Sequence, residues 1–215
     1  MTSPEYRSIV VPRHARIAIV GDVEEATEAW ILLHGYGMLA RGILHWFRAA
    51  ARPGRVLIAP EALSRFYAES HGVRHVVASW MTREARLDDI ADITAYLDRV
   101  MSDIVGPRAR IEVHGFSQGV PTATRWLAQQ AAMIDRLVCW GSNLPGDVDA
   151  EALMHRVREG RLHYVIGRKD TRIAPADVHA DAERLRGAGI DVQVHEFDGG
   201  HRIDDGVLQA LEPGA

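Results

Sequence analysis

Short apolar runs alternate along this chain with longer stretches in which apolar residues return every three or four positions. The runs at 15–20, 29–33, 55–59, 111–114, 136–140, 162–166 and 192–197 read as strands. Several are nearly continuous in Val, Ile and Leu, as expected of strands covered on both faces. The clearest helical pattern covers 83–105, where Leu87, Ile90, Ile93, Leu97, Val100, Met101 and Ile104 form one stripe and Gly106-Pro107 ends it. Further helices are predicted over 40–51, 119–133, 149–158 and 176–186. The alternation predicts an α/β chain with a mostly parallel central sheet and helices on both faces, as one domain over 1–215. Sheets of this kind carry their sites beyond the carboxyl ends of the strands.

Composition narrows the function classes. A chain of 215 residues can bury a substantial core, and 47% apolar with 25% charged residues is ordinary for a globular protein. The formal net charge of -4 gives no basic field for nucleic acid, and Lys169 is the only lysine among scattered arginines. Cys139 is the only cysteine, so no intramolecular disulfide is expected. No apolar run approaches the length of a membrane span, and the first residues lack the apolar core of a signal peptide. A cytoplasmic protein is the expectation.

The chemistry begins at Gly115-Phe116-Ser117-Gln118-Gly119. A predicted strand precedes it and a helical segment follows, which is the context of a nucleophile elbow. The flanking glycines remove side chains that would clash in so sharp a turn, and Pro121 falls where a helix tolerates it. A serine hydroxyl needs a base, usually a histidine held by a carboxylate. His201 follows Phe197-Asp198-Gly199-Gly200 at the end of the last predicted strand. Asp170 stands just after the strand ending at Ile166. Asp198 and Asp204 lie nearer His201 in sequence and compete for the acid's role, Asp198 more plausibly. The apolar strand ending in His34-Gly35-Tyr36-Gly37 has the form of a loop that donates one N–H to an oxyanion hole; the donors would be Tyr36 and Gln118. His34 reads as a residue that orients this loop.

These motifs together resemble the phospholipase/carboxylesterase family of α/β-hydrolases, which includes the acyl-protein thioesterases and bacterial carboxylesterases. The resemblance rests on Leu33 to Gly37, Gly115 to Gly119, Gly167-Arg168-Lys169-Asp170 with Ile173-Ala174-Pro175, and Gly200-His201, and so spans most of the chain. It implies a single-domain α/β-hydrolase without a separate lid domain, with Ser117, Asp170 and His201 in the catalytic roles and Tyr36 and Gln118 at the oxyanion hole. Met38 stands where the family often has an acidic residue, and Val120 where it often has a second glycine. Both differences bear on the acyl pocket.

Leu63, Phe66, Tyr67, Trp80 and Met81 are candidate walls of an apolar acyl pocket, with core packing the competing role. The pair His71 and His75 has a helical metal-ligand spacing, but Gly72 and the absence of a nearby carboxylate argue against a metal. The expected activity is hydrolysis of a small-molecule ester or thioester, with no cofactor. A peptidase or amidase on the same fold, and a non-catalytic small-molecule binder, are the alternatives.

Overall fold

The computed structural model describes residues 4–70, 72–108, 110–129 and 132–212. Seven strands make one sheet: β1 (Ile17–Val20), β2 (Glu28–Leu33), β3 (Arg55–Pro60), then β6 (Arg110–Phe116), β7 (Arg136–Trp140), β8 (Arg161–Gly167) and β9 (Asp191–Phe197). Two further strands, β4 (Ser64–Ser70) and β5 (Val73–Ser79), pair with each other as an antiparallel hairpin. The order across the large sheet is β1-β3-β2-β6-β7-β8-β9, with β1 antiparallel and every other pairing parallel. A mostly parallel sheet is therefore present.

Side-chain alternation along the strands divides the core. Ala29, Ile31 and Leu33 of β2 belong to one apolar cluster, Trp30 and Leu32 to the other. The first cluster lies under α2 (Arg86–Val100), α3 (Gly119–Gln129), α4 (Ala150–Met154) and α5 (Pro175–Gly187); the second lies under α1 (Ala40–Trp46) and α6 (Asp205–Ala210). Helices thus cover both faces. Full burial of a side chain such as Ile31 or Leu33 contributes about 2 kcal/mol. No described helix is long and apolar enough to cross a membrane.

Three local outcomes differ from the sequence pattern. The stripe over 83–105 begins as α2 only at Arg86, and its last turn, Met101–Val105, widens to a π-helix. The segment 149–158 keeps a helix only over Ala150–Met154, started by Asp149, whose carboxylate accepts from Glu151 and Ala152 N–H. The region that holds the pocket candidates Phe66 and Tyr67 forms the β4–β5 hairpin, Ser64–Ser70 paired with Val73–Ser79. Its Val73, Val76 and Val77 and the turn glycine Gly72 are ordinary hairpin residues, but one half-exposed face leaves no continuous apolar run to detect.

The amino ends of the strands carry an ion-pair belt. The Arg55 guanidinium is fully buried, lies 3.8 Å over the Trp30 ring and meets Glu28 at 3.0 Å and Glu212 at 2.6 Å. Glu112 receives Arg110 at 2.7 Å. Burial raises its carboxyl, but the His114 ring and the charges of Arg136 and Arg110 outweigh burial and bring it to about 2. The opposite, carboxyl, ends of the strands are free for other groups.

Candidate active site

Five neighbouring strands, β2, β6, β7, β8 and β9, end along one edge, and all but β7 are followed by one of the loops singled out above. Sheet order, not sequence distance, brings them together. The loops are laced across the edge: Ser117 N–H donates to Trp140 O at 2.8 Å, Gly141 N–H to Val165 O at 2.8 Å, and Arg168 N–H to Phe197 O at 3.0 Å.

Ser117 occupies the left-handed region at φ 51, one of two non-glycine residues among those described to do so. Such a conformation costs about 1–3 kcal/mol and persists only where the surroundings enforce it. The surroundings are close. A Cβ on Gly119 would stand 2.0 Å from Leu33 O, so β2 and the start of α3 approach each other as only glycine permits. The serine therefore sits at the mouth of α3, where the helix N-terminus favours negative charge.

His201 Nδ1 lies 2.7 Å from Asp170 Oδ2. Asp170 Oδ1 accepts from Arg172 and Ile173 N–H at 2.8 and 3.2 Å, so both oxygens of this buried carboxylate are engaged. The His201 ring packs on Phe116, the residue before Ser117, with centroids 4.7 Å apart. Gly141, at φ +59, leaves room for it: a Cβ there would stand 3.0 Å from His201 Cε1. Asp198 turns away to an exposed ion pair with Lys169 at 2.7 Å, and Asp204 caps α6 through Gly206 and Val207 N–H.

The loop after β2 is held from beneath by His34, which is fully buried. Its Nε2 accepts from Ala62 N–H at 3.1 Å, which leaves Nδ1 to donate to Gly35 O at 2.8 Å. Burial, the dominant effect, lowers its pKa and keeps the ring neutral. Among the described residues neither Tyr36 N–H nor Gln118 N–H has an acceptor within the chain. The Gln118 side chain is fully used: Oε1 accepts from Trp80 N–H at 3.0 Å and Nε2 donates to Met81 O at 2.8 Å. The end of β5 is thereby fastened to the elbow, while Gly37 N–H to Ala78 O fastens it to the β2 loop.

The pocket candidates separate. Trp80 is 1% exposed and donates Nε1–H to His34 O at 2.8 Å, so its indole supports the loop. Leu63 and Trp80 border a cavity of about 780 Å³ between residues 9–17 and α2. Phe66 stacks near Tyr36 at 5.7 Å, and Tyr67 is exposed. Met81 alone of this group lines the groove that contains Gln118. His71 lies outside the described residues, and His75 is an exposed residue of β5. Among the described residues no three His, Cys, Asp or Glu side chains converge as metal ligands would.

No protein-family model and no curated protein sequence matches the chain. Solved structures do. Esterase PE8 superposes with a TM-score of 0.66 at 19% identity, over 92% of this chain and 99% of its own. This is an α/β-hydrolase fold. The Zea mays acyl-protein thioesterase 2 has the same α/β-hydrolase architecture at a TM-score of 0.62 and 16% identity, covering 92% of this chain and 96% of its own. The Bacillus cereus carboxylesterase gives 0.63 at 15% identity, over 91% of each chain. At the level of fold, the likeness is to the phospholipase/carboxylesterase group that the motifs resemble.

Sequence reasoning missed two features of this site. One is the Gln118 side chain as a fastener of Ser79 to Met81. The other is the set of arginines, Arg83, Arg86 and Arg125, along the groove beside it. Single arginines in an arginine-rich chain carry no signal until the fold groups them.

Proposed function

We propose that this protein is a serine hydrolase that cleaves carboxylic esters or thioesters through a covalent acyl-enzyme. The observation that carries the reading is the 2.7 Å pairing of His201 with the buried Asp170, on the same sheet edge as the strained Ser117. A buried carboxylate with both oxygens engaged holds an imidazole in one tautomer, leaving Nε2 to act as base.

In this mechanism His201 takes the proton of Ser117, whose oxygen attacks the acyl carbonyl. The Tyr36 and Gln118 N–H groups receive the developing oxyanion, each contributing about 3 kcal/mol to the tetrahedral intermediate. His201 then protonates the departing alcohol or thiol. Water, deprotonated by the same histidine, attacks the acyl-enzyme, and the acid leaves as Ser117 regains its proton. Every step uses side chains and backbone of this chain. The esterase, carboxylesterase and thioesterase among its structural neighbours support the reaction class.

The test is hydrolysis of p-nitrophenyl acetate and butyrate together with labelling by a fluorophosphonate probe. Both should require Ser117. Unchanged turnover in Ser117→Ala would overturn the proposal.

A further inference from the structure

We propose that the groove beside Ser117 selects esters or thioesters that carry a carboxylate, held by Arg83 and Arg86. The inference rests on the ester-hydrolase reading of the same site and adds a substrate class to it.

The groove has a volume of about 490 Å³ and is lined by Gln118, Ser142 and Met81 together with three arginines, Arg83, Arg86 and Arg125. Gln118 directly follows the nucleophile, and Ser142 follows the glycine that packs on His201. A ligand seated there therefore lies against the reacting end of the site.

Among the described residues one carboxylate answers two of the three arginines. Asp147 pairs with Arg125 through two bonds, at 3.0 and 2.7 Å. The Arg125 side chain is 10% exposed, and its other nitrogen is turned to Met81 Sδ and Pro121 O, so its charge is spent. Arg86 reaches the same carboxylate only at 3.6 Å, beyond hydrogen-bond distance, with its side chain 48% exposed. Arg83 is exposed and, among the described residues, has no hydrogen-bond or ion-pair partner. Arg83 thus stands unpaired among the described residues, and Arg86 is only loosely paired with a carboxylate already held by Arg125, in a chain whose net charge is -4. A wall for a plain acyl chain would be apolar. Here the apolar contribution of Met81 and Leu144 stops short of a cationic rim, whose planar forks match a carboxylate.

Two matched ester pairs test the proposal. On the acyl side, mono-4-nitrophenyl adipate is compared with its methyl ester. On the leaving-group side, 4-acetoxybenzoate is compared with methyl 4-acetoxybenzoate. In one of the pairs the anion should be favoured in kcat/KM by at least about threefold, expressed in KM, with the preference shrinking as salt rises to about 0.5 M. The ratio should fall toward one in Arg83→Gln and Arg86→Gln. The pair that responds tells whether the carboxylate belongs to the acyl or the leaving group. A preference for the neutral ester in both pairs, or a ratio insensitive to both substitutions, overturns the inference while leaving the hydrolase reading intact. If no ester is cleaved, it is the hydrolase reading that fails. Calorimetric binding of adipate and 4-hydroxybenzoate then reads the groove directly: binding lost in Arg83→Gln supports the inference, and no binding to the unaltered protein overturns it.

Discussion

His201 Nδ1 stands 2.7 Å from Asp170 Oδ2, while Asp198, three residues before the histidine, is paired instead with Lys169 in solvent. The acid nearer in sequence is not the one paired with His201, because β8 lies beside β9 and delivers Asp170 across the strand ends. Replacing Asp170 by Asn should lower kcat/KM for p-nitrophenyl butyrate by about 10³-fold or more, through loss of the tautomer and of charge stabilisation. Asp198→Asn should stay within about twofold. A larger loss from Asp198→Asn than from Asp170→Asn would reverse the assignment of the acid.

The close approach of Gly119 to Leu33 O makes a second prediction, on stability. Gly119→Ala forces backbone apart and should cost more than about 3 kcal/mol in urea unfolding. Gly187 ends α5 with nothing near its would-be Cβ, so Gly187→Ala should be neutral or gain up to about 1 kcal/mol. Equal effects at the two positions would mean that the elbow is not tightly packed.

Gln118 couples chemistry to architecture through its side chain. Gln118→Leu keeps the backbone N–H but leaves Trp80 N–H and Met81 O without their partners. The expected loss is about 1–3 kcal/mol of stability, with KM raised more than kcat is lowered. A fall confined to kcat would show that the fastening of β5 is irrelevant to substrate binding.

Acid should destabilise the protein well above the carboxylate range. His163 is 3% exposed, and burial is the main cause that lowers its pKa from 6.5 to about 4; His34, His114 and His195 are lowered in the same direction, burial being the first cause for each. A histidine kept neutral by folding binds its proton first in the unfolded chain. Its contribution is therefore intact above about pH 6.5 and is lost as pH falls from there toward 4. For His163 alone this amounts to about 3 kcal/mol across that window. Urea melts at pH 7.5, 6 and 5 should show the decline, and His163→Gln should make it shallower. A pH-independent stability between 7.5 and 5 would contradict the prediction.

The strand runs and the order of motifs were legible because buried parallel strands are continuous apolar runs, and because Ser117 and Asp170 each follow such a run; the edge strand before His201 shows only Val192, Val194 and Phe197 among polar residues. The β4–β5 hairpin was not, since one face breaks the run with Arg65, Glu69 and Arg74 and the other with His75. The short helix Asp205–Ala210 holds too few turns for periodicity to register. At the site, the roles of Trp80 and the Gln118 side chain depend on who lies opposite, which only the sheet order determines. Trp80 read as a pocket wall by hydrophobicity; its indole N–H to His34 O makes it a support beneath the loop.

Lys169, whose ammonium meets Asp198 with 71% of its side chain exposed, is the sole side-chain amine of the sequence and neighbours Asp170. Amine-directed coupling is thus confined, among side chains, to one address at the rim of the strand ends. Attachment to a surface through that address would turn the loops after β8 and β9 toward the support, whereas a dye placed there would stand one residue from the Asp170–His201 pair.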